Sequence, residues 1–289
     1  WVGVALAAGN LGETKNSGYE LELKHNKRIN KDLSYNVGLT YSHARNEIIR
    51  MDEPEQKTAY RKREGNPISQ YFGLIADGFI TQADLNNPDL PVSTFGTVKV
   101  GDLKYKDMNG DGFIDDRDET RIGYSDIPEN TYALSLGLNY KGWGFNVMFQ
   151  GVDHVSRFYD AEAMFAFVNG GKVKEHHLGR WNPAMSEEYN LANATYPLLH
   201  SDSYGNHNQR QNSFFLKNGA FLRLKNIELS YSLPQSWIKK AAMKECRIYV
   251  NASNLVTWDH LGGLTDPESN GSNRYPIMKT VNFGVNIQF

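Results

Sequence analysis

The chain is poor in the features that mark a soluble enzyme or a helical membrane protein. One cysteine, Cys246, stands among 289 residues, which excludes an intrachain disulfide framework and a cluster of thiolate ligands. No run approaches the roughly 20 apolar residues of a membrane helix, which excludes helical spanning and leaves strands untouched. Charge of one sign is missing: a net charge of −2 and a pI near 6.5 give no basic field for nucleic acid. GxSxG elbow, P-loop, dinucleotide fingerprint and HExxH spacing are all lacking. Acid pairs such as Glu187–Glu188 are not set across a substrate by anything in the sequence, so the expectation is no enzyme and no catalytic residues. No initiating Met or signal segment precedes Trp1, so the chain reads as a processed piece of a longer protein.

What is present is alternation. In TVNFGVNIQF, Val281, Phe283, Val285, Ile287 and Phe289 take the odd places and Asn282, Gly284, Asn286 and Gln288 the even ones. Side chains of a strand alternate between faces, so this segment has one apolar and one polar face. LSYNVGLTYS (Leu33, Tyr35, Val37, Leu39, Tyr41), YALSLGLNYK (Tyr132, Leu134, Leu136, Leu138, Tyr140), WGFNVMFQ, CRIYVNA and YELELKH repeat it. AFLRLKNIELSYSL breaks phase between Leu224 and Ile227, and a bulge near Lys225–Asn226 is expected to restore the face. Tyr132 and Tyr140 bracket a leucine run. At ~3.3 Å per residue and ~40° tilt they project to ~20 Å, close to the ~25 Å apolar band of an outer-membrane barrel.

Strands are expected at about 19–28, 33–46, 131–141, 143–153, 221–233, 245–257 and 280–289. INKD, KG and PQSWIKKAAMKE then form short links, against long ones of about 85, 65 and 20 residues. Membrane barrels sort their loops this way, with short periplasmic turns and long outer loops; a sandwich does not. Outer regions at about 47–130, 154–220 and 258–279 follow, with GNPISQYFGLIADGF forming strands of its own. The chain reads as one all-β architectural unit.

The sharpest local motif is KDMNGDGFIDDRDE. Asp107, Asn109, Asp111, Gly112, Asp115 and Asp118 occupy places 1, 3, 5, 6, 9 and 12 of a calcium loop, with the Phe113 carbonyl at place 7 and apolar Ile114 at place 8. Place 12 is Asp, one methylene shorter than the usual Glu, and Asn-Gly-Asp-Gly is also strong turn chemistry, so a structural Ca2+ and a metal-free turn both fit. The adjacent His176 and His177 read as solvated loop histidines, and Cys246 as buried or lipid-facing. The aromatic and polar segment from Arg157 to Gly219 suits the binding of sugars or extended peptides, with Trp181, Tyr189, Tyr204, His207, Asn208 and Arg210 as candidate contacts.

VGDLKYKDMNGDGFIDDRDETRIG (Val100–Gly123), FLRLKNIELSYSLP (Phe221–Pro234), RIYVNASNLVTW (Arg247–Trp258), TDPE (Thr265–Glu268) and YPIMKTVNFGVNIQF (Tyr275–Phe289), in this order, resemble SusC-type TonB-dependent outer-membrane transporters. GYELELKH and EGNPISQYFGLIADGF fit as well, so the resemblance covers nearly the whole chain. It implies the C-terminal part of a transmembrane antiparallel β-barrel of ~22 strands with a plugged lumen. It implies import of glycans or oligopeptides across the outer membrane of a Gram-negative bacterium, under a SusD-like surface lipoprotein. It also implies an N-terminal barrel and plug segment through which TonB acts, and no organic cofactor. Phe289 suits the terminal aromatic of such barrels.

Two other readings use the same residues. A secreted calcium-binding β module that holds carbohydrate would use the Asp107 loop and the aromatic segment. A self-contained barrel of about eight strands would need WVGVALAA at Trp1 as its eighth.

Overall fold

The computed structural model describes residues 9–56, 58–159, 161–201, 206–269, 275 and 277–289. WVGVALAA, the candidate eighth strand, lies outside the described residues. The chain forms two compact units.

The first is a seven-stranded antiparallel meander, the all-β architecture expected of barrel wall. Its strands are β1 (Glu13–Arg28), β2 (Leu33–Arg50), β3 (Asn130–Tyr140), β4 (Trp143–Asp153), β5 (Phe221–Ser232), β6 (Glu245–Asp259) and β7 (Thr280–Gln288). Chain order equals spatial order, so the short links fall at one end of the strands and the long links at the other. Lys141 and Gly142, at φ +47° and +87°, join β3 to β4. Positive φ at both places is what a two-residue hairpin needs to match strand twist. The β5–β6 link carries a short helix, Gln235–Ile238, whose Ile238 is buried.

The register shift expected in β5 is present: Leu224 pairs with Phe149 and Asn226 with Met148, so Lys225 is the extra residue against β4, whereas against β6 Leu224 pairs with Val256 and Asn226 with Ser253, so Lys225 faces both Asn254 and Leu255. Leu222 and Leu224 thereby share a face with Ile227, Leu229 and Tyr231. On the polar face glycine makes room: a Cβ at Gly284 would fall 2.3 Å from the Tyr249 ring of the neighbouring strand.

The apolar face is exposed. Phe283 is 83% accessible and Val285 56%, with Leu21, Leu138, Tyr140, Trp143, Leu229 and Ile248 also exposed. Burying one such side chain is worth roughly 1.5–3 kcal/mol, so half-exposing roughly a dozen in water would forfeit on the order of 10–20 kcal/mol. A whole domain has only ~5–15 kcal/mol of net stability, so this face belongs in an apolar medium. Cys246 lies on the same face and is buried, a free thiol.

The second unit gathers Asn46–Asp126 and Arg157–Lys217. It holds most of the links expected at 47–130 and 154–220, whereas 258–279 stays with the sheet. GNPISQYFGLIADGF does form strands, Gln70–Gly73 against Thr120–Ser125 and Ala76–Phe79 against Leu103–Tyr105. Leu74, Leu103, Trp181 and Phe215 fill its core. Phe215 stands edge-on to Phe165 at 5.0 Å and to Phe214 at 5.0 Å, and Phe79 meets Phe214 and Trp181 at 5.8 and 5.6 Å. These links are packed, not draped.

Candidate functional site

The acidic turn folds around its own carboxylates. Gly110 and Gly112 adopt φ +72° and +81°, a left-handed backbone that costs glycine nothing. Their amides donate to Asp107 at 2.6 and 2.8 Å. Asn109 Oδ1 accepts from the Asp111 amide at 2.9 Å, and Asp111 Oδ1 from that of Phe113 at 3.0 Å. Asp118 is fully buried and accepts from the amides of Met108 and Asp115, both at 2.9 Å. Val92 and Thr94 bond to the carbonyls of Gly112 and Ile114, so the Phe113 carbonyl points away from that short strand.

A guanidinium closes the turn. Arg117 Nη2 lies 2.8 Å from Asp111 and 2.6 Å from Asp115, and its hydrogen bonds hold the Asp115 carboxyl below the usual carboxylate range. The positive charge that a calcium loop requires is thus supplied in part from within. Among the described residues no three His, Cys, Asp or Glu side chains converge as metal ligands. In this arrangement Arg117 holds Asp111 and Asp115, two of the expected ligands.

The candidate substrate contacts divide. Trp181 is 2% exposed and packs beneath Gly101, where a Cβ would fall 2.3 Å from the indole. His207 and Asn208 are buried within a polar network. His207 Nε2 donates to the Leu103 carbonyl at 2.6 Å, leaving Nδ1 to accept from Ser93 Oγ at 2.7 Å. Asn208 accepts from the Leu103 amide at 2.9 Å and donates to Asp102 at 2.8 Å. Arg210 lies over the Phe95 ring at 4.2 Å and pairs with Asp116 and Glu119. Tyr189 is the exposed one, on the helix Glu187–Asn193, whose Ser186 cap accepts from the Tyr189 amide at 3.1 Å. Tyr204 lies outside the described residues.

Two residues central to this network, Asp102 and Asn212, were not singled out from sequence. Asp102, 1% exposed, accepts from the Lys99 amide at 2.7 Å and Asn208, and lies 2.6 Å from His200 Nε2. Asn212 is fully buried, accepts from the amides of Phe214 and Phe215 at 3.0 and 3.1 Å, and donates to the Tyr105 hydroxyl at 3.0 Å. The residues flanking Asp102 offer no local signal; its side-chain partners His200 and Asn208 lie about 100 residues away.

The expectation of two solvated histidines needs correction at His177, which is fully buried. Its Nδ1 accepts from the Lys174 amide at 2.8 Å and its Nε2 donates to the Met164 carbonyl at 3.0 Å, so the neutral form is built in. Burial holds the His177 and His207 pKa values below the ordinary histidine value. Burial likewise raises the hydroxyl pKa values of Tyr105 and Tyr196.

No protein-family model matches the chain. TonB-dependent receptor P3 of Formosa agariphila is 24% identical over 317 residues, covering 99% of this chain and 30% of that protein. TonB-dependent receptor SusC of Bacteroides thetaiotaomicron is 24% identical over 299 residues, covering 97% of the chain and 27% of that protein. The RagAB peptide transporter structure superposes with a TM-score of 0.70 at 23% identity, covering 97% of this chain and 30% of that one. That likeness shows the fold: part of an antiparallel β-barrel wall with folded outer links. The chain spans about 30% of the length of the relatives it matches.

Proposed function

We propose that this chain, which resembles SusC-type TonB-dependent receptors along nearly its whole length, supplies wall and substrate-facing loops to an outer-membrane nutrient importer. One observation carries the reading: a seven-stranded meander exposes its apolar face while its first two long links fold into a unit with a packed core of its own. A wall must meet lipid on one side, and loops that select a substrate must hold a shape. The protein resides in the outer membrane of a Gram-negative bacterium.

The cargo in this reading is a glycan or an oligopeptide, and the partner a SusD-like surface lipoprotein, both supplied by the resemblance. Plug and TonB contact belong to the remainder of the transporter. The chain contributes no catalytic step. Tyr189 is the side chain we assign to face substrate, while Trp181, His207 and Asn208 form the frame behind the loops. The acidic turn takes Ca2+ only after Arg117 withdraws from Asp111 and Asp115.

The test is to isolate outer membranes, extract with mild detergent and identify by mass each polypeptide that copurifies with this chain. Recovery with barrel-and-plug sequence and a surface lipoprotein is expected. Recovery in the soluble fraction, alone and compact, would overturn the reading in favour of a secreted carbohydrate-binding module.

A further inference from the structure

The apolar face carries more than a uniform lipid-facing surface. A groove of about 600 Å³ lies near its short-link end, lined by Trp143, Tyr231, Ile248, Val250, Phe283 and Val285. It runs over four adjacent strands, β4 to β7. Trp143 and Tyr231 stand opposite one another in register with ring centroids 4.8 Å apart, Trp143 at the first residue of β4 and Tyr231 at the second-last of β5. Amphipathic rings at that depth mark the boundary between hydrocarbon and headgroups.

Beyond that boundary basic residues outnumber acids, of which Asp32 lies beside Lys141, whose amide donates to the Asp32 carbonyl at 3.0 Å. Lys141 stands in the β3–β4 turn, Lys239 and Lys240 in the β5–β6 link, and all three are exposed. None of the three forms an ion pair among the described residues. Lys244 completes the rim and donates to the Phe289 carbonyl at 2.8 Å. Glu245 is the acid at the start of β6. The chain as a whole is slightly acidic, so this excess of exposed lysines on the short links is local. Lysine stems lie along apolar surface while their ammonium groups stay in the polar layer.

We propose that this groove and rim form a binding site for one anionic phospholipid, an acyl chain in the groove and its phosphate headgroup among Lys141, Lys239 and Lys240. The groove alone would accept any acyl chain. The lysines select the headgroup, because each basic residue near an anionic lipid surface adds attraction that a zwitterionic headgroup does not return.

This inference rests on the membrane-wall reading, and the test separates the two. The intact transporter containing this chain is extracted, delipidated and titrated with phosphatidylglycerol or with phosphatidylcholine of the same acyl chains, bound lipid being counted by native mass spectrometry. Phosphatidylglycerol is expected to bind about ten- to 100-fold more tightly. The triple variant Lys141→Gln, Lys239→Gln, Lys240→Gln should bind both lipids alike, whereas the three Lys→Arg changes keep the preference. Retained heat-modifiable migration of each variant shows a folded barrel. Equal affinity of the unaltered protein for both lipids, or a preference that survives the Gln variant, would overturn the site and leave the wall intact. Binding of neither lipid would overturn both.

Discussion

Arg223 Nη2 donates to both carboxylate oxygens of Asp266, each at 2.7 Å, and the arginine side chain is 1% exposed. Its Nη1 lies 2.8 Å from Glu268, which Lys225 also reaches at 3.0 Å. Two basic residues on the polar face of β5 thus hold the third long link through Asp266 and Glu268. Pro267 between them restricts the backbone that presents the two acids.

Removing Asp266 alone leaves Glu268 to compensate Arg223. The double change Asp266→Ala, Glu268→Ala leaves a buried guanidinium without a counter-charge, which should destabilise the folded barrel by about 3–5 kcal/mol. Adding Arg223→Met should recover most of that loss. Urea unfolding followed by gel mobility checks the series; a double variant as stable as the parent would contradict the role given to the pair.

Buried neutral histidines give the loop unit a pH dependence of definite sign. His177 faces His176 and Lys174, and His207 faces Asp102 and His200. Each binds a proton less readily folded than unfolded, so stability is fully present above the unfolded value near ~6.5 and is lost as pH falls below it. Protection factors of the links against hydrogen exchange should therefore fall between about pH 7 and the lower folded values, and His177→Gln with His207→Gln should flatten the profile. Asp84, held low chiefly by its bond to Lys104, and Asp115, held low by Arg117, lose their contribution only in the more acidic window below ~3.9.

Gly101 combines φ +91° with a Cβ position 2.3 Å from the Trp181 indole. Gly101→Ala meets both backbone strain and a buried ring without room to move, and should cost the loop unit about 2–4 kcal/mol. Gly96→Ala, at φ +134° with open space around it, isolates the backbone share. Proteolytic susceptibility of the links reads the difference; equal effects at both positions would contradict the contact with Trp181.

If Arg117 occupies the charge position of the acidic turn, millimolar Ca2+ should leave the thermal unfolding of the unaltered protein unshifted. Arg117→Gln frees Asp111 and Asp115 and should tighten Ca2+ binding at least about tenfold, measured by calorimetry on the intact protein. Equal affinity in the two forms would remove Arg117 from the account.

The sheet was legible because its rules are local. Alternation assigned the faces, the break between Leu224 and Ile227 located the bulge at Lys225, and the sorted links ordered the strands. The acidic turn was half legible: spacing revealed the oxygens, but the same spacing describes a metal cage and a turn closed by Arg117. Trp181, His207 and Asn208 read as binding chemistry because aromatic and amide side chains look alike in a string whether they line a surface or frame a core. Their burial is set by Gly101, Leu103 and Asp102 from a distant segment, and no local period encodes such pairings. Asp266 and Arg223, 43 residues apart, were hidden for the same reason.

Reporter groups on neighbouring positions of β7 decide whether its odd residues face lipid and its even residues an aqueous interior. In a Cys246→Ser background, Phe283→Cys and Asn282→Cys are labelled with one environment-sensitive fluorophore and the intact protein is placed in bilayers containing brominated acyl chains. The account predicts strong quenching at 283 and little at 282, with the reverse order for a water-soluble quencher. Equal quenching at the two positions, or quenching of both by the aqueous reagent alone, would contradict a membrane wall.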